Sequence, residues 1–123
     1  MARILLVDDD YGWLGLYRLE LGGAHEILEA SDVPEALEVI QARVPDLIIL
    51  DYHLPGLSGP ALLQRLRVRG LQIPVILCTA DPARAAREEC DAVVSKHTDL
   101  RRLRRTIDAV LAARHASDPG RAA

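Results

Sequence analysis

Four short, unbroken apolar runs in this chain each stop abruptly at a polar side chain. Residues 4–7 lead into Asp8, Asp9 and Asp10, residues 47–50 into Asp51, residues 75–78 into Thr79, and residues 92–94 into Ser95 and Lys96. A run of about four or five apolar residues bounded by turn signals reads as a strand of a parallel sheet, buried on both faces. In open α/β sheets, ligands gather beyond the carboxyl ends of the strands. Four such strands would therefore converge three carboxylates, a hydroxyl and an ammonium on one small site, a set suited to a metal ion and a phosphoryl group.

Between the runs the apolar spacing becomes helical. Leu14, Tyr17 and Leu21, followed by Gly22 and Gly23, predict a helix over 11–21. A weaker strand is expected over 25–30. Asp32 with Glu35 has capping-box spacing, and Pro34 suits a first turn, so a second helix is expected over about 33–43, with Ala36, Leu37, Ile40 and Val44 on one face and Pro45 beyond its end. Ser58 is the expected N-cap of a third helix over about 60–69, closed by Gly70. A strand is expected over 73–78, then a brief helical stretch from Asp81 and Pro82 to about residue 89. The last helix should open at Thr98 or Asp99 and bury Leu100, Leu103, Ile107, Val110 and Leu111. Its pattern fades at His115, which gives one domain over 1–114 and a flexible tail over 115–123.

Strands alternating with helices imply a doubly wound five-stranded parallel sheet with right-handed crossovers, and the flavodoxin-like order 2-1-3-4-5 is expected. Its switch point lies between the first and third strands, which end at Asp8, Asp9 and Asp51. At 123 residues, one core is expected, and with no Phe and one Trp it must be built from Leu, Ile, Val and Ala. No apolar stretch approaches the roughly 18 residues of a membrane span, and the start of the chain lacks a signal-peptide layout, so a cytoplasmic location without membrane partners is expected.

Cys78 and Cys90 lack CxxC spacing and read as reduced, packed thiols. A net charge of −3 gives no overall drive toward nucleic acid. Arg101, Arg102, Arg104 and Arg105 form a local basic cluster, but no aromatics interleave with them and no helix-turn-helix pattern follows. A solvated surface or a homodimer contact is the better reading of that cluster. Of the 15 basic residues only Lys96 is a lysine, which singles it out as a position that needs a compact ammonium.

Carboxylates held within a few ångströms repel one another and call for a compensating cation or raised pKa values. Mg²⁺, which takes one or two carboxylates together with water and phosphate oxygens, suits the set. Thr79 can donate to a phosphoryl oxygen, Lys96 can neutralise one, and Asp51 at the centre is a candidate nucleophile. Asp10 reads rather as a cap of the first helix.

The acidic turn Val7-Asp8-Asp9, the stretch Asp51-Tyr52-His53-Leu54-Pro55-Gly56 with Gly59 after it, the pair Thr79-Ala80, and Lys96 occur in order at the ends of strands one, three, four and five. Together they make residues 2–114 resemble the CheY-like receiver domain of two-component response regulators. The resemblance implies that Asp51 accepts a phosphoryl group from a phosphohistidine on a sensor histidine kinase or phosphotransfer protein. It implies that Asp9, Asp51 and the backbone carbonyl of His53 bind Mg²⁺, with Asp8 acting directly or through water. Thr79 and Lys96 would hold the phosphoryl oxygens, and movement of Thr79 would switch the surface read by a downstream protein. His53 and Asp81 would sit beside the site and influence phosphoryl lifetime.

Three departures from the family pattern concern output. His97 follows Lys96 where proline is usual, so a trans peptide is expected there. Val93 stands three residues before the lysine, where the family carries a switching aromatic. The stretch from Thr79 to Lys96 is short by about four or five residues, which predicts a shortened fourth helix. A modified output surface, centred on the last helix and its arginines, is therefore expected. The competing class is a receiver-like interaction module that is never phosphorylated. A phosphohydrolase is disfavoured, because His53 stands where a second Asp would be needed.

Overall fold

The computed structural model describes residues 1–85, 88, 90–96 and 99–116. Strands and helices alternate: β1 Arg3–Val7, α1 Tyr11–Leu21, β2 Glu26–Ala30, α2 Val33–Ala42, β3 Leu47–Asp51, α3 Gly59–Val68, β4 Val75–Thr79, α4 Pro82–Ala85, β5 Ala92–Ser95 and α5 Leu100–Ala116. The strands form one parallel sheet in the order β2-β1-β3-β4-β5. This is the expected flavodoxin-like order, and it sets β3 between β1 and β4, with β5 at an edge.

Every residue of β3 and of β4 is buried, so both are sandwiched between helical layers. Period-two alternation divides their side chains. Leu5, Val7, Ile48, Leu50, Val75 and Leu77 pack with α2, α3 and Ala85 of α4. Ile4, Leu6, Leu47, Ile49, Ile76 and Cys78 pack with Leu14, Tyr17 and Leu21 of α1 and with Leu103 and Ile107 of α5.

Local chemistry explains the boundaries. Asp10 caps α1, its Oδ1 accepting from the amides of Gly12 at 2.9 Å and Trp13 at 3.3 Å. Asp32 accepts from the Glu35 amide at 2.8 Å, but the Glu35 carboxylate takes the Ser31 hydroxyl at 3.2 Å, so half of the predicted capping box forms. α2 stops at Ala42 because Arg43 turns extended, and Val44 consequently leaves the buried face and is exposed. Ser58 occupies the N-cap of α3 without a side-chain cap bond. The Gly59 amide already donates to Tyr52 O, Pro60 has no N–H, and the Ala61 amide is taken by the Ser58 carbonyl. Gly70, at φ +70°, ends that helix in the left-handed conformation. β4 begins at Val75 rather than 73, because Pro74 can lend the ladder its carbonyl, to Ile48 N at 2.9 Å, but no donor.

α4 is a single turn whose Ala85 is buried against the sheet. Its expected extension toward residue 89 includes residues 86, 87 and 89, which lie outside the described residues, as do Thr98, the His97 side of the Lys96 peptide and residues 117–123. α5 begins at Leu100, just after Asp99, whose Oδ1 accepts from the Arg101 amide at 2.8 Å. It continues to Ala116, two residues into the segment read as tail.

Candidate functional site

The carboxyl ends of β1, β3, β4 and β5 deliver the predicted residues to one end of the sheet. Parallel register requires it: Val7 pairs with Leu50, Asp51 with Cys78, and Thr79 with Ser95. Asp8, Asp9 and Asp51 each present a carboxylate oxygen within 4.8 Å of the others. Asp8 and Asp51 are 3% and 5% exposed, whereas Asp9 is open to solvent.

Lys96 enters from just beyond β5, with its Nζ 3.0 Å from Asp8 Oδ2 and 3.0 Å from Asp51 Oδ2. The remaining oxygens of both buried carboxylates are held by backbone donors: Asp8 Oδ1 by the Asp10 amide at 2.9 Å, and Asp51 Oδ1 by the His53 amide at 3.2 Å. The cluster is thus fixed by two turns and one cation.

Burial raises the Asp51 carboxyl above the ordinary carboxylate value. The hydrogen bond from Lys96 opposes that rise and the charge of Asp8 adds to it. For Lys96, burial alone would lower the pKa, but hydrogen bonds and attraction to Asp8 and Asp51 outweigh it and leave the ammonium above the usual lysine value. One cation therefore serves two buried anions, and a third anion stands alongside.

Thr79 is 1% exposed. Its Oγ1 accepts from the Asp81 amide at 3.0 Å, leaving its own proton for an incoming oxygen, and its carbonyl accepts from the Lys96 amide at 3.0 Å. His53 is exposed and stands edge-on to Tyr52, with ring centroids 4.9 Å apart. Gly59 is required for close approach: a Cβ there would overlap the Asp51 carbonyl oxygen and stand 3.0 Å from Tyr52 Cα.

Two features were not read from the sequence. The first is the double engagement of Lys96, since spacing says nothing of which carboxylate an ammonium chooses. The second lies beneath the site, where the Tyr17 phenol and the Cys78 thiol lie close enough to shift each other's ionisation. Burial pushes Cys78 up to about 12 and Tyr17 higher still than its usual value. A tyrosine on the buried stripe of α1 was the available signal, because a buried phenol needs a partner.

The carboxylate spacing fits Mg²⁺. Neighbouring and opposite ligands of an octahedral ion at about 2.1 Å are about 3.0 and about 4.2 Å apart, so three oxygens within 4.8 Å of one another need close by at most about 1.8 Å, within reach of side-chain rotation.

The chain matches the family described as response regulator receiver domain over residues 4–108. It is a member of that family. The regulator of RpoS from Escherichia coli is 36% identical over 117 residues, which cover 89% of this chain and 34% of that protein. The alkaline phosphatase synthesis transcriptional regulatory protein PhoP of Bacillus subtilis is 40% identical over 80 residues, 63% of this chain and 33% of its own length. The chain thus spans about a third of these curated relatives. Sporulation initiation phosphotransferase F of Bacillus subtilis is 34% identical over 79 residues, covering 63% of this chain and 64% of that protein.

Among solved structures, the receiver domain of NtrX from Brucella abortus superposes with a TM-score of 0.79 at 29% identity, covering 88% of this chain and 97% of that one. The Francisella response regulator 1452 receiver domain gives 0.83 at 23% identity, over 92% and 98% of the two chains, a likeness of fold. Receiver domains are signalling switches whose general function is phosphorylation by a histidine kinase, and they generally bind Mg²⁺ at an acidic pocket. Among the described residues, no helix is long and apolar enough to cross a membrane.

Proposed function

We propose that this receiver domain accepts a phosphoryl group on Asp51 from a phosphohistidine of a histidine kinase or phosphotransfer protein in the cytoplasm, and that the change in charge is read by a downstream protein. The observation that carries this reading is the buried Asp51 carboxylate, 3.0 Å from the Lys96 ammonium and within 4.8 Å of the Asp8 and Asp9 oxygens. Asp51 is the better acceptor of the three. It ends the central strand β3, between Asp8 and Asp9 at the end of β1 and Thr79 at the end of β4, and its backbone amide bond is looser than that of Asp8 (3.2 Å against 2.9 Å), while Asp9 lies out in solvent.

In the proposed transfer, an Asp51 carboxylate oxygen forms a bond to phosphorus in line with the breaking P–N bond. The bonding pair stays on the imidazole nitrogen of the donor. A Mg²⁺ held by Asp8, Asp9, Asp51 and the His53 carbonyl would supply positive charge to the phosphoryl oxygens. Lys96 stabilises the charge that spreads over those oxygens, and the Thr79 hydroxyl donates to one of them in the product. The buried setting strengthens both contacts.

Incubation with acetyl phosphate and Mg²⁺, followed by intact-mass measurement, tests the assignment. One phosphoryl mass should be gained by the wild type, lost on hydroxylamine treatment, and absent from Asp51→Asn. Phosphorylation that persists in Asp51→Asn would overturn the assignment to Asp51, and none in the wild type would instead favour the constitutive interaction module.

A further inference from the structure

The flank of α5 turned toward α1 carries Arg101, Arg104, Arg105 and Asp108, at i, i+3, i+4 and i+7, so these side chains share one stripe about 10 Å long. The stripe borders an open cleft of about 580 Å³, whose other wall is Glu20 at the end of α1 with Ala24 and His25 in the turn that follows. Burial marks its base. Leu21 and Ile107, each 1% exposed, pack in one core cluster and close the gap between the two helices, whereas the three arginines and Asp108 are exposed.

The donors in the cleft are loosely held. Arg101 lies 3.4 Å from Asp99, with side chains 76% and 57% exposed, and Arg104 lies 3.5 Å from Glu20. Exposed pairs of that length contribute little, so an anion of higher charge displaces them readily. Arg105 forms no ion pair among the described residues. His25 adds a further donor: its Nδ1 accepts from the Ala2 amide at 3.1 Å, which places the ring proton on Nε2. Among the described residues no protein acceptor takes that proton, and Nε2 reaches solvent, because no buried side-chain nitrogen there lacks a partner. At the far end of the stripe the Asp108 carboxylate has neither a hydrogen bond nor an ion pair among the described residues.

Charge along the stripe selects the ligand. Three guanidinium groups within about one turn suit a group with more than one phosphate, since each fork takes two oxygens. Asp108, one turn beyond Arg104, repels phosphate and accepts from hydroxyl or amino groups. A nucleic-acid strand would carry its phosphates past the arginines onto that acid, whereas a molecule with phosphates at one end only avoids it. We propose that this cleft binds a nucleoside diphosphate, with its two phosphoryl groups on Arg101, Arg104 and Arg105, its sugar hydroxyls donating to Asp108, and His25 Nε2 donating to an oxygen of the nucleoside. No member of the Asp8, Asp9 and Asp51 cluster takes part, so binding needs neither Mg²⁺ nor phosphorylation.

The test uses the full chain in EDTA, so that no divalent ion draws phosphate to Asp51, with ADP, pyrophosphate and adenosine as probes. In calorimetry ADP should bind saturably and more tightly than pyrophosphate, adenosine should be silent, and the affinity for ADP should fall with added salt. Arg101→Gln/Arg104→Gln should weaken ADP about tenfold or more. The control Arg65→Gln/Arg69→Gln makes the same change of net charge at exposed positions in and just after α3, and should bind like wild type. Asp108→Ala should weaken ADP but tighten pyrophosphate, a divergence that general loss of structure would not produce. Amide shifts on adding ADP should cluster at Ala24, His25, Arg104 and Asp108. The proposal is overturned if ADP does not bind, if pyrophosphate binds as tightly, if both double variants weaken ADP equally, if Asp108→Ala moves both ligands the same way, or if the shifts lie elsewhere. Tighter binding of duplex DNA than of ADP, lost in Arg101→Gln/Arg104→Gln, also overturns it.

Discussion

Lys96→Met, studied in EDTA, isolates the electrostatic problem this fold sets for itself. In the wild type one ammonium, 16% exposed, lies 3.0 Å from two carboxylates that are almost fully buried. Methionine keeps the stem but removes the charge. The Asp8 and Asp51 oxygens, within 4.8 Å of each other, then repel by at least about 3.5 kcal/mol at an effective dielectric of about 20. Removing one partner of a buried ionic group typically costs about 3–5 kcal/mol, which agrees with that figure. Set against a total stability of roughly 5–15 kcal/mol for a domain, the loss is large enough for urea denaturation to resolve.

The pH dependence has a definite sign. Burial already holds Asp51 above the ordinary aspartate value of 3.8, and loss of Lys96 raises it further. As pH rises past about 4, the unfolded chain releases this proton before the folded chain does, so the variant loses stability until pH passes the raised folded value. The deficit relative to wild type should be small near pH 4 and complete at pH 7.5. Adding Asp8→Asn to Lys96→Met removes the repulsion and should restore about 3 kcal/mol, a strong departure from additivity. Urea midpoints followed by circular dichroism give all the required values. A deficit below about 1 kcal/mol at pH 7.5, or a double variant no more stable than the single one, would refute the reasoning.

Two further outcomes follow from buried chemistry around the site. Cys78 ionises near 12 in the fold against 9.0 ordinarily, and Tyr17 is raised above its ordinary 10.0. Stability should therefore fall from about pH 9 upward, by about 1.4 kcal/mol per pH unit for the thiol and more steeply above pH 10 as the phenol joins. Since the Cys90 thiol is also raised, urea titrations from pH 8 to 11 of Cys78→Ala in a Cys90→Ser background, set beside Cys90→Ser alone, isolate the first segment of that slope. Gly59→Ala would press a methyl into the Asp51 carbonyl and should cost about 1–3 kcal/mol while slowing phosphorylation by acetyl phosphate; Gly70→Ala, strained only by its positive φ, should cost about 1 kcal/mol and leave that rate unchanged.

The strand ends were legible because burial on both faces leaves a continuous apolar run, and the polar residue that stops it marks where the layers end. Asp8, Asp51, Thr79 and Lys96 arrive together for that reason alone, without any signal from their own spacing. Misreadings occurred where one atom decides. Pro74 lacks the donor that would have let β4 begin at 73, and the amides a Ser58 cap would serve are spent or missing. Val44 had the right spacing for α2, but the helix had already ended at Ala42. Pair geometry was the least legible, because which oxygen meets Lys96, and that Tyr17 finds Cys78, depend on side chains from elements far apart in sequence.

Lys96 is where the two halves of this receiver meet. Its ammonium is shared equally between Asp8 and Asp51, while its amide ties the end of β5 to the Thr79 carbonyl of β4. A phosphoryl group on Asp51, as proposed, would add negative charge at one of the two anions and upset the equal sharing, and the bonds placed to adjust are those at the ends of β4 and β5. The usual amplifiers beside them are reduced here: Val93 offers no ring to turn, and α4 contributes one described turn anchored by Ala85. Helix α5 begins a few residues beyond Lys96 and packs its Leu103 and Ile107 under the sheet, making it the longest rigid element attached to the part of the site that must respond. A signal confined to strand ends and α5 would need a partner that binds at α5, where Arg102 and Arg105 are exposed.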